Sequence, residues 1–178
     1  MATPNPPISR GSPFWRFSLG FYRRPGVADA CIRLQEESGL DVNLLLFLLW
    51  QATHRRALSV AEVEHLEGRI AAWRETTVVP LRRMRRALKS PPDLIDGGTA
   101  ELFRTRIKAV ELEAERLQQE AMHDLARSMQ LGRETPSRTD AARANVAAYA
   151  QICRAGFAEA AVETLLAALA GLEHSEEE

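Results

Sequence analysis

The chain has 178 residues, of which 46% are hydrophobic, 26% charged and 6% aromatic. That length and apolar content fit one domain with material for a real core. The 23 Lys and Arg against 24 Asp and Glu exclude a strongly basic nucleic-acid domain or an acidic tail protein. The two cysteines, Cys31 and Cys153, exclude a disulfide scaffold and a Cys-rich zinc module.

The charge balance conceals two unequal parts. Residues 1–89 carry 14 basic and 8 acidic residues, and residues 90–178 carry 9 and 16. Eight of the 11 aromatics lie between Phe14 and Trp73. No basic segment followed by an apolar stretch opens the chain, and the longest apolar run, Leu44 to Trp50, is far below the ~18 residues of a spanning helix. A soluble, cytoplasmic protein with reduced thiols and no membrane span is expected.

Strand signals are nearly absent and helical spacing recurs throughout. Residues 1–11 contain Pro, Gly and Ser and read as disordered. Ser12-Pro13 reads as an N-cap with Pro at the first helical position, and Phe14, Phe17 and Phe21 then share a face. Val27, Ala30, Cys31 and Leu34 form the next stripe, ended by Ser38-Gly39. Asp41 can cap a helix from Val42 to about Arg55 that is apolar nearly all round, the expected buried centre. Ser59 and Glu62 fit a capping box. Behind them Val63, Leu66, Ile70, Trp73, Thr77, Leu81, Met84 and Leu88 approach a heptad seam, interrupted by Pro80, which should kink it. After a turn over 90–98, Thr99 opens a second long helix to about Leu131. Its expected seam is Phe103, Ile107, Val110, Ala114, Leu117 and Ala121. Two such helices joined by a short loop predict an antiparallel hairpin. Two more helices, over about 137–154 and 157–172, and a frayed acidic tail over 174–178 complete the chain.

Three groups of residues could carry function. The first is a pair of Glu-x-x-His motifs, Glu62/His65 and Glu120/His123. Two such motifs with two further carboxylates make the metal site of ferritin-like bundles. Here the expected seams put all four side chains on outer faces, so they are weak metal candidates. The second is Arg82, Arg83, Arg85 and Arg86 with Lys89, with no acid from 76 to 92. Antiparallel pairing sets these against about 100–107, where acids are scarce, so the cluster predicts an acidic partner or anionic ligand. Nucleic acid is not expected, because no aromatics interleave with it. The third is the N-terminal aromatic block. Arg16 and Arg23 alternate with Trp15 and Tyr22, the mixture found at interface hot spots. Asn43, in the first turn of the apolar helix, needs a partner such as Gln35 or Gln51 and could floor a pocket with Asp41 and Trp50 nearby. Both cysteines read as inert thiols, and no nucleophile elbow, P-loop or dinucleotide motif is present.

The run Phe14-Trp15-Arg16-Phe17-Ser18-Leu19, Phe21-Tyr22, Pro25-Gly26-Val27, Ala30-Cys31, Leu34-Gln35, then Gly39 and Asp41 to Phe47 with Trp50, resembles the signature of a proteobacterial family of small proteins classed as a domain of unknown function. The resemblance covers 14–50 and implies a small helical cytoplasmic protein; it carries over no activity, cofactor or catalytic residue.

The sequence therefore predicts a single all-α domain over 12–173 with about seven helices. A compact N-terminal helical cap over 14–57 packs on a long antiparallel hairpin. The favoured role is a non-enzymatic protein-interaction or regulatory adaptor using the Arg/aromatic half. The alternative is a small-molecule-binding protein or enzyme with a pocket between the first three helices, and a metal-carboxylate protein is the third reading.

Overall fold

A computed structural model describes residues 11–172. Of the expected disorder over 1–11, residues 1–10 lie outside the described residues, as does the acidic tail over 174–178. The chain is all-α. Its helices are α1 (Pro13–Tyr22), α2 (Val27–Ser38), α3 (Val42–Thr53), α4 (Val60–Trp73), α5 (Val79–Ala87), α6 (Gly97–Ser128), α7 (Arg138–Cys153) and α8 (Glu159–Ala170). A π-helical turn over Arg74–Val78 fuses α4 to α5, so seven continuous helices stand among the described residues. The two-residue strands β1 (Arg56–Ala57) and β2 (Arg133–Glu134) pair antiparallel, the one β element there.

Most helix starts follow local chemistry. Ser12 accepts from Trp15 N, with Pro13 at the first helical position. Asp41 accepts from Asn43 N and Leu44 N, and Ser59 with Glu62 closes the capping box. Gly39, at φ 67, ends α2 in the left-handed region a side chain would disfavour. The second long helix begins at Gly97, two residues before Thr99, because Asp96 accepts from Thr99 N and is the cap.

The apolar α3 is the core. Leu44, Leu45, Phe47, Leu48, Leu49 and Ala52 are fully buried. It packs most extensively on α7, and also on α1, α6 and β1, while α8 covers α2. The N-terminal cap is thus wedged between the hairpin and the last two helices rather than resting on the hairpin alone. Asn145 of α7 locks this junction. Buried completely, it accepts from Leu58 N at 2.7 Å and donates to Leu48 O at 2.9 Å and Arg56 O at 3.0 Å.

Pro80 does not simply kink its helix. It lacks the N–H that Thr76 O would accept, and its ring would crowd that carbonyl. The chain responds with one wider turn, in which Val79 N reaches Arg74 O, five residues back. This turn aims Arg74 inward. Its guanidinium lies 2.6 Å from Glu67 and 3.5 Å from Asp41, and Asp41 also accepts from Gln118 Nε2 at 2.9 Å. One buried network therefore joins the start of α3 to α4, the π turn and α6.

The α6 seam is rotated by one residue from the heptad expectation. Beyond Ala100 near its start, the buried positions are Glu111, Ala114, Gln118, Gln119 and Met122, whereas Phe103, Val110 and Leu117 are exposed. Only Ala114 belongs to both sets. Apolar spacing alone chose the wrong stripe because each buried polar side chain on the true face meets a partner from α3 or α5, Glu111 through Arg82 and Arg85, Gln118 through Asp41 and Gln119 through Asn43.

Candidate functional site

A cleft of about 620 Å³ opens between α1, α2 and the start of α3 on one side and α5–α6 on the other. It lies within the size range of small-molecule sites. Of the twelve sequence-predicted binding residues, Trp15, Tyr22, Arg23, Gln35, Asn43, Arg82, Arg85 and Arg86 line it. Two groups that looked separate in the sequence, the aromatic block and the basic cluster, are opposite walls of one cavity. The other four lie elsewhere. Arg16 is exposed and donates to Gly11 O. Asp41 is buried in the helix-capping network. Trp50 sits in a ring cluster with Phe14, Phe47, His54 and His123. Arg83 is exposed on another face of α5.

The apolar surface of the cleft comes from Trp15, Leu19, Ile32, Leu46 and Leu112. Its floor is polar. Asn43 Oδ1 accepts from Gln119 Nε2 at 2.8 Å, so the partner is on α6, neither Gln35 nor Gln51. Gln119 Oε1 and Ser18 Oγ are buried without a hydrogen-bond partner, each residue being 3% exposed. Buried polar atoms are normally paired, and each orphan costs about 1–3 kcal/mol. Tyr22 adds a hydroxyl whose pKa is raised by burial and by the neighbouring Cys31 and Glu115, against a lowering by Arg82.

The basic wall corrects the expectation that the Arg cluster lacks partners within the hairpin. Arg82 donates to Glu111 at 3.2 Å and to Glu115 at 2.7 Å. Arg85 donates to Glu111 through Nε and, at 3.2 Å, through Nη2. Backbone pairing does set the Arg cluster near earlier residues of α6, since Trp73 Nε1 bonds Ala114 O. Helical side chains lean toward the N-terminus of their own helix, however. In an antiparallel pair both partners lean toward each other, by about a turn each, and Arg82 and Arg85 meet Glu111. Arg23, Arg86, Lys89 and Lys108 also line the cleft, and no carboxylate among the described residues pairs with them. Against Glu111 and Glu115, already held by arginines, the cleft retains a net positive charge.

The two carboxylates respond oppositely. Burial pushes Glu111 up, but Arg85 and Arg82 outweigh it and hold it below the ordinary range. Burial pushes Glu115 up, and its single partner Arg82 only partly offsets this, with Glu111 nearby adding to the rise.

The Glu-x-x-His residues have other occupations. Glu62 caps Ser59 and accepts from Gly132 N at 2.8 Å. Glu120 accepts from Ser12 N at 2.8 Å. His123 lies against Trp50, and His65 is exposed. Among the described residues no group of three or more His, Cys, Asp or Glu is arranged to hold a metal ion, and no helix is long and apolar enough to cross a membrane. Burial pushes the Cys31 thiol up to about 12.

Sequence reasoning missed Ser18, Lys108, Glu111, Glu115 and Gln119. All but Ser18 lie on the polar stripe or flank of α6, and a polar stripe on a helix predicted to pack was the available signal. The stretch 13–122 matches a family model described as a protein of unknown function, and it contains every residue of the cleft. No curated protein and no solved structure matches the chain.

Proposed function

We propose that this chain, which belongs to the DUF2390 family, binds a small anionic molecule with an apolar body in the cleft between α1–α3 and α5–α6. The carrying observation is a cavity in which Arg23, Arg86, Lys89 and Lys108, without carboxylate partners among the described residues, face the apolar side chains of Trp15, Leu19 and Leu46. The ligand's apolar body lies against Trp15, Leu19 and Leu46. Its anionic group meets Arg86, Lys89 and Lys108. The family model, described as a protein of unknown function, assigns no reaction. An acidic protein surface, the favoured partner from sequence, fits less well. Two of the arginines it relied on are already neutralised by Glu111 and Glu115, and the remaining cations line a concave cleft rather than a flat face.

The test is a thermal-shift and calorimetric screen with aromatic and aliphatic carboxylates and phosphates, matched to uncharged analogues. A ligand at 100 times its Kd stabilises the protein by about 2.7 kcal/mol. Stabilisation by anionic members only, lost in Arg86→Ala/Lys89→Ala, supports the reading. Equal response to the uncharged analogues, or none to any member, refutes it.

A further inference from the structure

On the side of the hairpin turned away from the cleft, Phe103, Val110 and Leu117 are 48%, 52% and 43% exposed, and Met84 of α5 is 46% exposed. Val110 stands two residues, about 200° of helix, from Leu112 of the cleft wall, so the two faces are independent. The three α6 residues recur every seven positions, the period of a helix–helix seam. Ile107 and Ala114, which would complete that seam, turn toward α5 instead, leaving Phe103, Val110 and Leu117 uncovered. Single exposed apolar residues need no explanation, but a ridge along one helix face does.

The charges beside the ridge identify its occupant. Arg106 has no carboxylate partner among the described residues. Glu113, one heptad on, is half exposed and holds Arg116 of its own helix. Over the whole helix, residues 97–110 carry three cations and one acid, while residues 111–128 carry five acids and two cations. A helix polarised in this way repels a parallel copy of itself and attracts an antiparallel one.

We propose that α6 docks on α6 of a second copy of this chain, antiparallel about Val110. Phe103 of each copy packs on Leu117 of the other, and Arg106 lies beside Glu113 of the other. The same patch serves both subunits, as a two-fold interface requires. With α5 alongside, the two hairpins make a four-helix arrangement that also covers Met84.

Sedimentation of the full chain tests this. The expected mass is twice the 19.8 kDa of one chain, falling to the single-chain value in Val110→Glu with unchanged helix content. In a Cys153→Ser background, Val110→Cys should form an interchain disulfide on mild oxidation, because the two copies of that position meet at the axis. Leu117→Cys should not, because it faces Phe103 of the other copy. A single-chain mass at every concentration overturns the proposal, and so does a Leu117→Cys link that forms as readily as that of Val110→Cys.

Discussion

Glu111 and Glu115 lie one helical turn apart on the same wall of the cleft, yet their replacement should have opposite consequences. Glu111 accepts three hydrogen bonds from Arg82 and Arg85, and its side chain is 7% exposed. Glu111→Gln keeps the shape but removes the charge, leaving Arg85 without its carboxylate partner and Arg82 with Glu115 alone. Hydrogen bonds to charged groups contribute about 1.5–3 kcal/mol, and breaking a fully buried pair costs about 3–5 kcal/mol. Both arginine side chains keep about a fifth of their surface in solvent. The expected loss is therefore about 2 kcal/mol, or roughly 4–8 °C in melting temperature for a chain of this size. Glu115 has one partner and a carboxyl pushed above the usual range by burial, so Glu115→Gln should be neutral or stabilising. The pH dependence follows from the same directions. Glu111 titrates below 4.5 when folded, so its stabilisation is present above the ordinary carboxylate range and disappears as the pH falls through its folded pKa. Glu115 titrates above 4.5 when folded, so its charge costs stability at neutral pH, and that cost is relieved as the pH falls through its raised pKa. Urea denaturation at pH 7 and at about pH 4 reads both effects, and the gap between the two variants should narrow in acid. Equal destabilisation by the two substitutions at pH 7 would refute this account of the basic wall.

Two further outcomes are expected from the core. Asn145→Ala strands the buried Leu58 N–H and removes donors from Leu48 O and Arg56 O. It should cost about 3 kcal/mol in denaturant unfolding, and a cost under about 1 kcal/mol would mean the junction of α3, β1 and α7 is held by packing instead. Cys31 is fully buried with its thiol pushed up to about 12. A neutral maleimide at pH 7 should therefore modify it only at the rate of unfolding, while the partly exposed Cys153 reacts first. Prompt labelling of both would place Cys31 outside the core.

Caps, breakers and apolar runs could be read along the chain because they are local. Ser12, Asp41, Ser59 and Ser137 each accept from a backbone N–H two or three residues on, which needs no knowledge of the rest of the fold. The seven apolar residues from Leu44 to Trp50 marked the buried helix for the same reason. Both walls of the cleft were also visible as residue types, an aromatic block and a basic cluster. That they face one another was not, because their juxtaposition depends on how α5–α6 folds back over α1–α3. The rotation of α6 was equally hidden. Spacing offered Phe103, Val110 and Leu117 as the seam, but burial went to Glu111, Gln118 and Gln119, which are tolerable inside only because Arg82, Arg85, Asp41 and Asn43 arrive from other helices to meet them. A polar stripe is paired or orphaned according to what distant segments bring to it. The same rotation that buried those side chains left Gln119 Oε1 without a hydrogen-bond partner and an apolar ridge on the opposite face.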